Sequence, residues 1–139
     1  MLGLPLVLFA LSGCGKDPNL PELVPVSGTV TWNDQPLSGA VITFIPIEET
    51  RGSGASSRTG ADGSYRLSAA AGKYHVVISK LRMPDGSDFP IGTDLAPMDS
   101  GAREVLPSYS DRERPRLSAT VPAPDGAINF VLRPDGPKP

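Results

Sequence analysis

The stretch VSGTVTWNDQPLSGAVITFIP, residues 26–46, decides the fold class of this chain. From Val26 to Trp32 every second residue is Val, Gly or Trp and the residues between them are Ser or Thr, which is the period of a half-buried β-strand. The NDQP that follows has the composition of a turn. Residues 40–47, AVITFIPI, then predict a second strand with Phe44 on its core side.

The same period recurs in residues 55–58, 65–68, 73–80, 117–121 and 127–132, and no segment shows a helical period. With 15 glycines and 16 prolines, the chain suits short strands joined by many turns. We therefore predict an all-β fold, a seven-stranded antiparallel β-sandwich. The positions predicted to face its core are Val26, Gly28, Val30, Trp32, Ile42, Phe44, Tyr65, Leu67, Tyr74, Val76, Ile78, Leu117, Ala119, Val121, Ile128, Phe130 and Leu132.

The only cysteine, Cys14, ends an apolar run that is too short to span a membrane but fits the apolar region of a signal peptide. The tetrapeptide LSGC, residues 11–14, resembles the lipobox of bacterial lipoproteins. The resemblance implies that residues 1–13 are a signal peptide and that Cys14 is lipidated, which would hold the protein on a membrane. Gly15 after the cysteine implies the outer membrane, facing the periplasm or the cell surface.

The prolines between Cys14 and Val26 predict a stiff tether over residues 14–25, and the tail 134–139 is predicted to be disordered. Between them, residues 26–133 form the predicted folded unit. Its stretches VSGTVTWNDQPLSGAVITFIP, TGADGSYRL and AGKYHVVIS resemble the carboxypeptidase regulatory-like domain, a transthyretin-like β-sandwich found in bacterial surface lipoproteins. The shared residues are turn glycines and core hydrophobes, so the resemblance carries the fold and says little about function.

The chemistry-bearing residues favour a protein without catalytic activity, metal or cofactor. The resemblance would bring a zinc peptidase site or a hydroxyisourate hydrolase site, and both need more histidines than the single His75, which alternates out of the core. Each Pro-Asp-Gly triplet offers one carboxylate and is typical of a turn rather than a calcium loop. An isopeptide bond to Asn129 is disfavoured because no lysine lies between Lys16 and Lys73. The 13 basic and 15 acidic residues are interspersed, which excludes a nucleic-acid patch.

The segment from Leu81 to Arg116 is far longer than an ordinary connection and has no period, so it is either a solvated insertion or a functional loop. As a recognition loop it offers Arg103, Tyr109, Asp111, Arg112 and Arg114, although Tyr109 more readily pins the loop onto the sandwich.

We expect a binding or structural module for an envelope protein or a glycan. The alternative is a small-molecule carrier or hydrolase of transthyretin-like type. A concave pocket in which Arg103, Asp111, Arg112 and Arg114 converge would favour that alternative.

Overall fold

The computed structural model describes Gly3 and residues 21–88 and 101–134. The described residues form ten strands and one short helix, α1. The strands are β1 (Leu23–Trp32), β2 (Gln35–Pro36), β3 (Val41–Pro46), β4 (Ala55–Arg58), β5 (Ser64–Ala70), β6 (Gly72–Ser79), β7 (Leu81–Arg82), β8 (Arg103–Glu104), β9 (Leu117–Val121) and β10 (Phe130–Leu132). The helix α1 is Pro107–Ser110.

Two four-stranded sheets and one small ribbon contain all of these strands. In the first sheet, β5 pairs with β1 from Leu23 to Thr29, while β2 and β10 pair with the last residues of β1. The second sheet has the order β4-β3-β6-β9, and each of its neighbouring pairs is antiparallel. The ribbon consists of β7 and β8.

The two sheets enclose a single core. The ring of Phe44, in the second sheet, lies 6.4 Å from that of Phe130 and 6.5 Å from that of Tyr65, both in the first sheet. Every side chain that the two-residue period assigned to the core belongs to this cluster or packs against it. Burying one large apolar side chain stabilises a fold by about 1.5–3 kcal/mol, so the alternating pattern accounts for most of what holds the sheets together.

Gly28 marks the point where two backbone segments cross most closely. A Cβ atom added there would lie 1.9 Å from the carbonyl oxygen of Ile128. The same oxygen accepts a hydrogen bond of 2.6 Å from the hydroxyl of Tyr65, and the Ile128 N–H donates to the Ser27 carbonyl oxygen at 2.9 Å. Glycine is therefore required at this position by space, because only a residue without a side chain admits the segment that leads into β10.

The all-β prediction is confirmed, and three details differ from it. The described residues form ten strands instead of the predicted seven. β10 runs parallel to β1, which the sequence could not predict because side-chain alternation carries no information about strand direction. β1 begins at Leu23, so the predicted tether 14–25 ends earlier than expected. Its last three residues are part of the sheet because they pair with residues 68–70 of β5.

The predicted insertion 81–116 is not without structure: its described parts contain β7, β8 and α1. These elements are two to four residues long, too short for any period to reveal them. The predicted signal peptide apart from Gly3, Cys14 and the tail beyond Pro134 lie outside the described residues. Within the residues that are described, no helix has the length and apolar character needed to cross a membrane.

Candidate functional site

We use the name loop segment for residues 81–88 and 101–116, the described parts of the predicted insertion. It follows β6 directly and leads into β9. In the register of the second sheet, Ser79 at the end of β6 pairs with Val41 at the start of β3. The chain enters the first sheet at the other end, where Leu23 pairs with Ala70. β5 ends at Ala70 and β6 begins at Gly72, so β6 starts at the same end of the sheets as β1 and finishes at the other end. The loop segment follows β6 and therefore begins at the end of the sheets opposite the start of β1.

The carboxylate of Glu104 in β8 holds the loop segment to the end of β6. It accepts hydrogen bonds from the backbone N–H groups of Lys80 and Leu106, at 2.9 and 3.0 Å, and from the hydroxyl of Ser79. Hydrogen bonds to a charged acceptor contribute more than neutral ones, about 1.5–3 kcal/mol each. Glu104 is thus committed to structure and is not a free acid for catalysis.

The side chain of Lys80 is only 8% exposed and provides a second attachment of the loop segment to the sheets. Its ammonium group donates to the carbonyl oxygen of Ser38 at 2.8 Å and lies 3.6 Å from a carboxylate oxygen of Asp88. A buried ammonium needs such partners because removal from water otherwise costs several kcal/mol. The contacts tie the turn before β3 to the turn after β7.

Leu106 and Tyr109 bring the loop segment into the core, where they are 1% and 2% exposed. The Tyr109 ring meets Trp32 edge-on at 6.5 Å between centroids. Its hydroxyl accepts a 3.0 Å hydrogen bond from the N–H of Arg133. Tyr109 was one of the five predicted recognition residues. Its ring is buried in the core against Trp32, so it is not available to a partner. The burial and the hydrogen bond to Arg133 agree with the other predicted role, which was to pin the loop onto the sandwich.

The other four predicted recognition residues, Arg103, Asp111, Arg112 and Arg114, are exposed. Asp111 is used locally: its carboxylate accepts hydrogen bonds from the N–H groups of Glu113 and Arg114, at 2.9 and 3.3 Å. Arg103 lies in the β7–β8 ribbon. Arg112 instead lines a shallow cavity of about 330 Å³ over the edge formed by β3 and β4. That cavity contains none of the other three, so it is not the convergent pocket that would favour a carrier or hydrolase.

A second surface, the outer face of the first sheet, forms a shallow concavity of about 840 Å³. Exposed or half-buried hydroxyl side chains of β1 and β5 line it, with the exposed Arg66 among them. Its polar lining residues are Ser27, Thr29, Asp62, Ser64, Arg66, Ser68 and Asn129. Trp32 and Tyr65 belong to the core side of this sheet, so neither of these two rings is exposed for stacking on the outer face.

Several of these polar groups already have partners. Asn129 accepts hydrogen bonds through its side-chain oxygen from the N–H and the hydroxyl of Thr29, at 2.9 and 3.2 Å. The hydroxyl and N–H of Ser64 both donate to Asp62, at 2.6 and 3.0 Å, and these bonds lower the pKa of the Asp62 carboxyl. This face therefore resembles an ordinary solvated sheet surface with satisfied side chains.

The aspartates of the tight turns act in the same way. Ser87 donates through its hydroxyl and its N–H to Asp85, at 2.5 and 2.9 Å, and lowers the pKa of that carboxyl. Asp85 belongs to one of the Pro-Asp-Gly triplets, so this triplet forms a turn as predicted. Among the residues that the structure describes, no three His, Cys, Asp or Glu side chains are grouped as metal ligands would be.

The remaining candidates for a catalytic or crosslinking role are His75 and the described lysines. His75 is half-buried on β6, where it alternates with the buried Tyr74 and Val76, so it faces away from the core as predicted. Lys73 pairs with Glu48 at 3.5 Å. Since Lys80 is held by Ser38 and Asp88, and Asn129 by Thr29, the described lysines have other partners than the isopeptide acceptor.

Comparison of the chain with models of known protein families, with curated proteins and with solved structures gives no significant match.

Proposed function

We propose that this protein is a non-catalytic binding module of the bacterial cell envelope, attached to a membrane through lipid on Cys14. The loop segment would be the end that meets an envelope protein or a glycan. The observation that carries the proposal is the anchoring of that segment. Glu104, Lys80 and Tyr109 fix its backbone through groups that are at least partly buried, while Arg103 and Arg112 remain exposed on it. A binding surface on a fixed backbone loses less entropy when it meets a partner than a mobile loop does.

The position of the loop segment agrees with an attachment at the opposite end. Leu23, the start of β1, lies nine positions after Cys14 in the sequence. A fully extended chain spans at most 3.3–3.6 Å per residue, so this tether would reach about 30 Å from the lipid. β1 itself has ten residues, which span about 33 Å. A lipid-anchored molecule would therefore present the loop segment away from the membrane, in the outer-membrane case towards the periplasm or the surface.

We also propose that the fold is a transthyretin-like sandwich of the carboxypeptidase regulatory-like kind. The two facing sheets and their shared core support it. Seven of the strands have three residues or more, and the three strands of two residues can be taken as additions to a seven-stranded plan. The additions lie next to the turn after β1 and in the loop segment.

The attachment is tested by expressing the protein with its N-terminal segment in a bacterium supplied with labelled fatty acid. The wild type should take up the label and fractionate with membranes, and a Cys14→Ser variant should do neither. Label in the Cys14→Ser variant would contradict the proposed lipidation site.

The binding end is tested by crosslinking the native protein to its neighbours in cells. A variant in which Arg103, Arg112 and Arg114 are changed to Gln should lose specific crosslinks. A matched variant of the first-sheet face, Ser27→Asn with Arg66→Gln, should keep them. If both variants lose the crosslinks equally, or if only the first-sheet variant loses them, the loop segment is not the binding surface.

A further inference from the structure

The β7–β8 ribbon places two arginines directly opposite each other. Arg82 and Arg103 are partners in its antiparallel register, and both are exposed. Opposite residues of an antiparallel pair project to the same face, with Cβ atoms about 4.5–5.5 Å apart. Like charges in that arrangement repel each other and destabilise the pair. The register of the ribbon therefore brings two like charges close together, and a bound anion would reduce their repulsion.

Arg82 also has a partner on its other side. It forms an isolated antiparallel bridge with Asp88, so Asp88, Arg82 and Arg103 lie in one row across the ribbon. The acid in this row is already in use, because its carboxylate lies 3.6 Å from the buried ammonium of Lys80. Arg82, Arg103, Lys80 and Asp88 together carry a net charge of about +2, because the Lys80 and Asp88 charges offset each other.

The oxygens of the remaining nearby acids already accept hydrogen bonds from neutral groups, which occupies these carboxylates without removing their charge. Glu104 accepts hydrogen bonds from Ser79, Lys80 and Leu106, and Asp85 accepts two from Ser87. Ion pairs among the residues that the structure describes include Lys73–Glu48, Lys80–Asp88 and Arg133–Asp34. None of them includes Arg82 or Arg103.

We infer that Arg82 and Arg103 form a binding site for a phosphomonoester group. A guanidinium presents a planar set of N–H donors that matches phosphate oxygens in pairs, and two of them can share one group. A phosphomonoester carries about −1.5 to −2 charges at neutral pH, which matches the charge of the pair. A carboxylate or a phosphodiester carries one negative charge and would leave one guanidinium unneutralised.

The site has the fixed backbone that such recognition needs. The N–H of Val105 donates to the carbonyl oxygen of Lys80 at 2.8 Å, and the N–H of Met83 donates to the carbonyl oxygen of Ser87 at 2.8 Å. The first bond joins the chain before β7 to the chain after β8, and the second closes the turn that follows β7. The inference rests on the proposed function only in taking the loop segment as the binding end, and it does not depend on the lipid.

The experiment uses the full-length chain in a non-ionic detergent and follows the arginine Nε–Hε signals by NMR during titration with inorganic phosphate. The signals of Arg82 and Arg103 should move together and saturate at millimolar phosphate. Dimethyl phosphate, a singly charged diester, and acetate should bind about tenfold more weakly or not at all. Phosphate should also raise the melting temperature, since it binds the folded state.

Matched variants separate the site from general attraction. Arg82→Gln and Arg103→Gln should each weaken phosphate binding about tenfold and remove its effect on the melting temperature. Arg58→Gln, which removes an exposed arginine of β4, should leave both unchanged. The inference is overturned if the two signals do not saturate, if acetate or dimethyl phosphate binds as well as phosphate, or if Arg58→Gln weakens binding equally. Those results would leave the proposed function standing, because the cell crosslinking tests it through other residues as well.

Discussion

The hydroxyl of Tyr109 accepts a hydrogen bond from the N–H of Arg133 at 3.0 Å and faces the carbonyl oxygen of the same residue at 3.3 Å. The two residues are 24 positions apart, one in α1 and the other just after β10. This contact links the long connection between β6 and β9 to the last strand of the first sheet. The loop segment is therefore part of the folded body, and a buried tyrosine anchors the backbone that carries its exposed arginines.

The first prediction concerns Tyr109. Tyr109→Ala should lower the free energy of unfolding by roughly 3–5 kcal/mol, because it removes a fully buried ring and its contact with Trp32. Tyr109→Phe keeps the ring and loses only the hydroxyl, so it should cost about 1 kcal/mol. Urea unfolding of both variants measures the difference. A cost below about 1 kcal/mol for Tyr109→Ala would show that the loop segment is not part of the core.

A second prediction concerns Glu104. Glu104→Ala leaves the N–H groups of Lys80 and Leu106 without their acceptor, which should cost about 1–3 kcal/mol in chemical unfolding. Glu113 is an exposed acid of the same segment, and Glu113→Ala should stay within about 0.5 kcal/mol of the wild type. If the two variants are equally stable, Glu104 does not hold the loop segment to β6.

The close crossing at Gly28 gives a third prediction. Gly28→Ala would place a Cβ atom 1.9 Å from the Ile128 carbonyl oxygen, so the segment leading into β10 must move. Overpacking of this kind costs about 1–3 kcal/mol, and the hydrogen bond from Tyr65 should be lost with it. Gly60→Ala is the control, because an added Cβ there meets its nearest atom at an ordinary 3.4 Å. Equal melting temperatures for the two variants would refute the crossing.

The fourth prediction is a dependence of stability on alkaline pH. Burial raises the pKa of the Tyr65 phenol above its ordinary value of 10.0. Above about pH 10 the unfolded chain releases this proton while the folded chain keeps it, so stability should fall as pH rises. Below that pH the contribution is fully present.

Tyr65→Phe isolates this contribution. At neutral pH the variant should be less stable by about 1 kcal/mol, because the Ile128 carbonyl oxygen loses its donor. The gap to the wild type should narrow as pH rises above about 10, since only the wild type carries the titrating phenol. Urea midpoints measured across that range test this, and a gap that stays constant would mean that Tyr65 ionises equally in both states.

The core could be predicted from the sequence because a strand repeats every two residues and the sheets bury one side. Phe44, Tyr65 and Phe130 were assigned to the core on that basis, and their rings meet there. The parallel direction of β10 could not be predicted, because alternation is the same in either direction. The strand at Leu23–Pro25 could not be predicted either, because Pro25 argues against a strand although this segment pairs with β5.

The structure of the loop segment could not be predicted from a single sequence. Its elements are too short for a period, and what fixes them are contacts between distant residues, such as Lys80 with Ser38. Composition drew attention to the arginines and to Tyr109 of this segment, but only the fold shows that Tyr109 is buried while Arg112 is exposed. Arg82 was not among the predicted site residues, because only the pairing of β7 with β8 brings it opposite Arg103.

The proposed function requires that the loop segment is a fixed part of the fold, and amide hydrogen exchange of the full-length chain measures this directly. The N–H of Val105 donates to Lys80 and that of Leu106 to Glu104, so both should exchange slowly, within about tenfold of core amides in β3. The N–H of Gly126 donates to the Ala123 carbonyl oxygen at 3.2 Å within an exposed turn and provides the faster reference. Exchange of the Val105 and Leu106 amides as rapid as that of Gly126 would contradict a fixed loop segment, because the exposed arginines would then have no fixed backbone to present them.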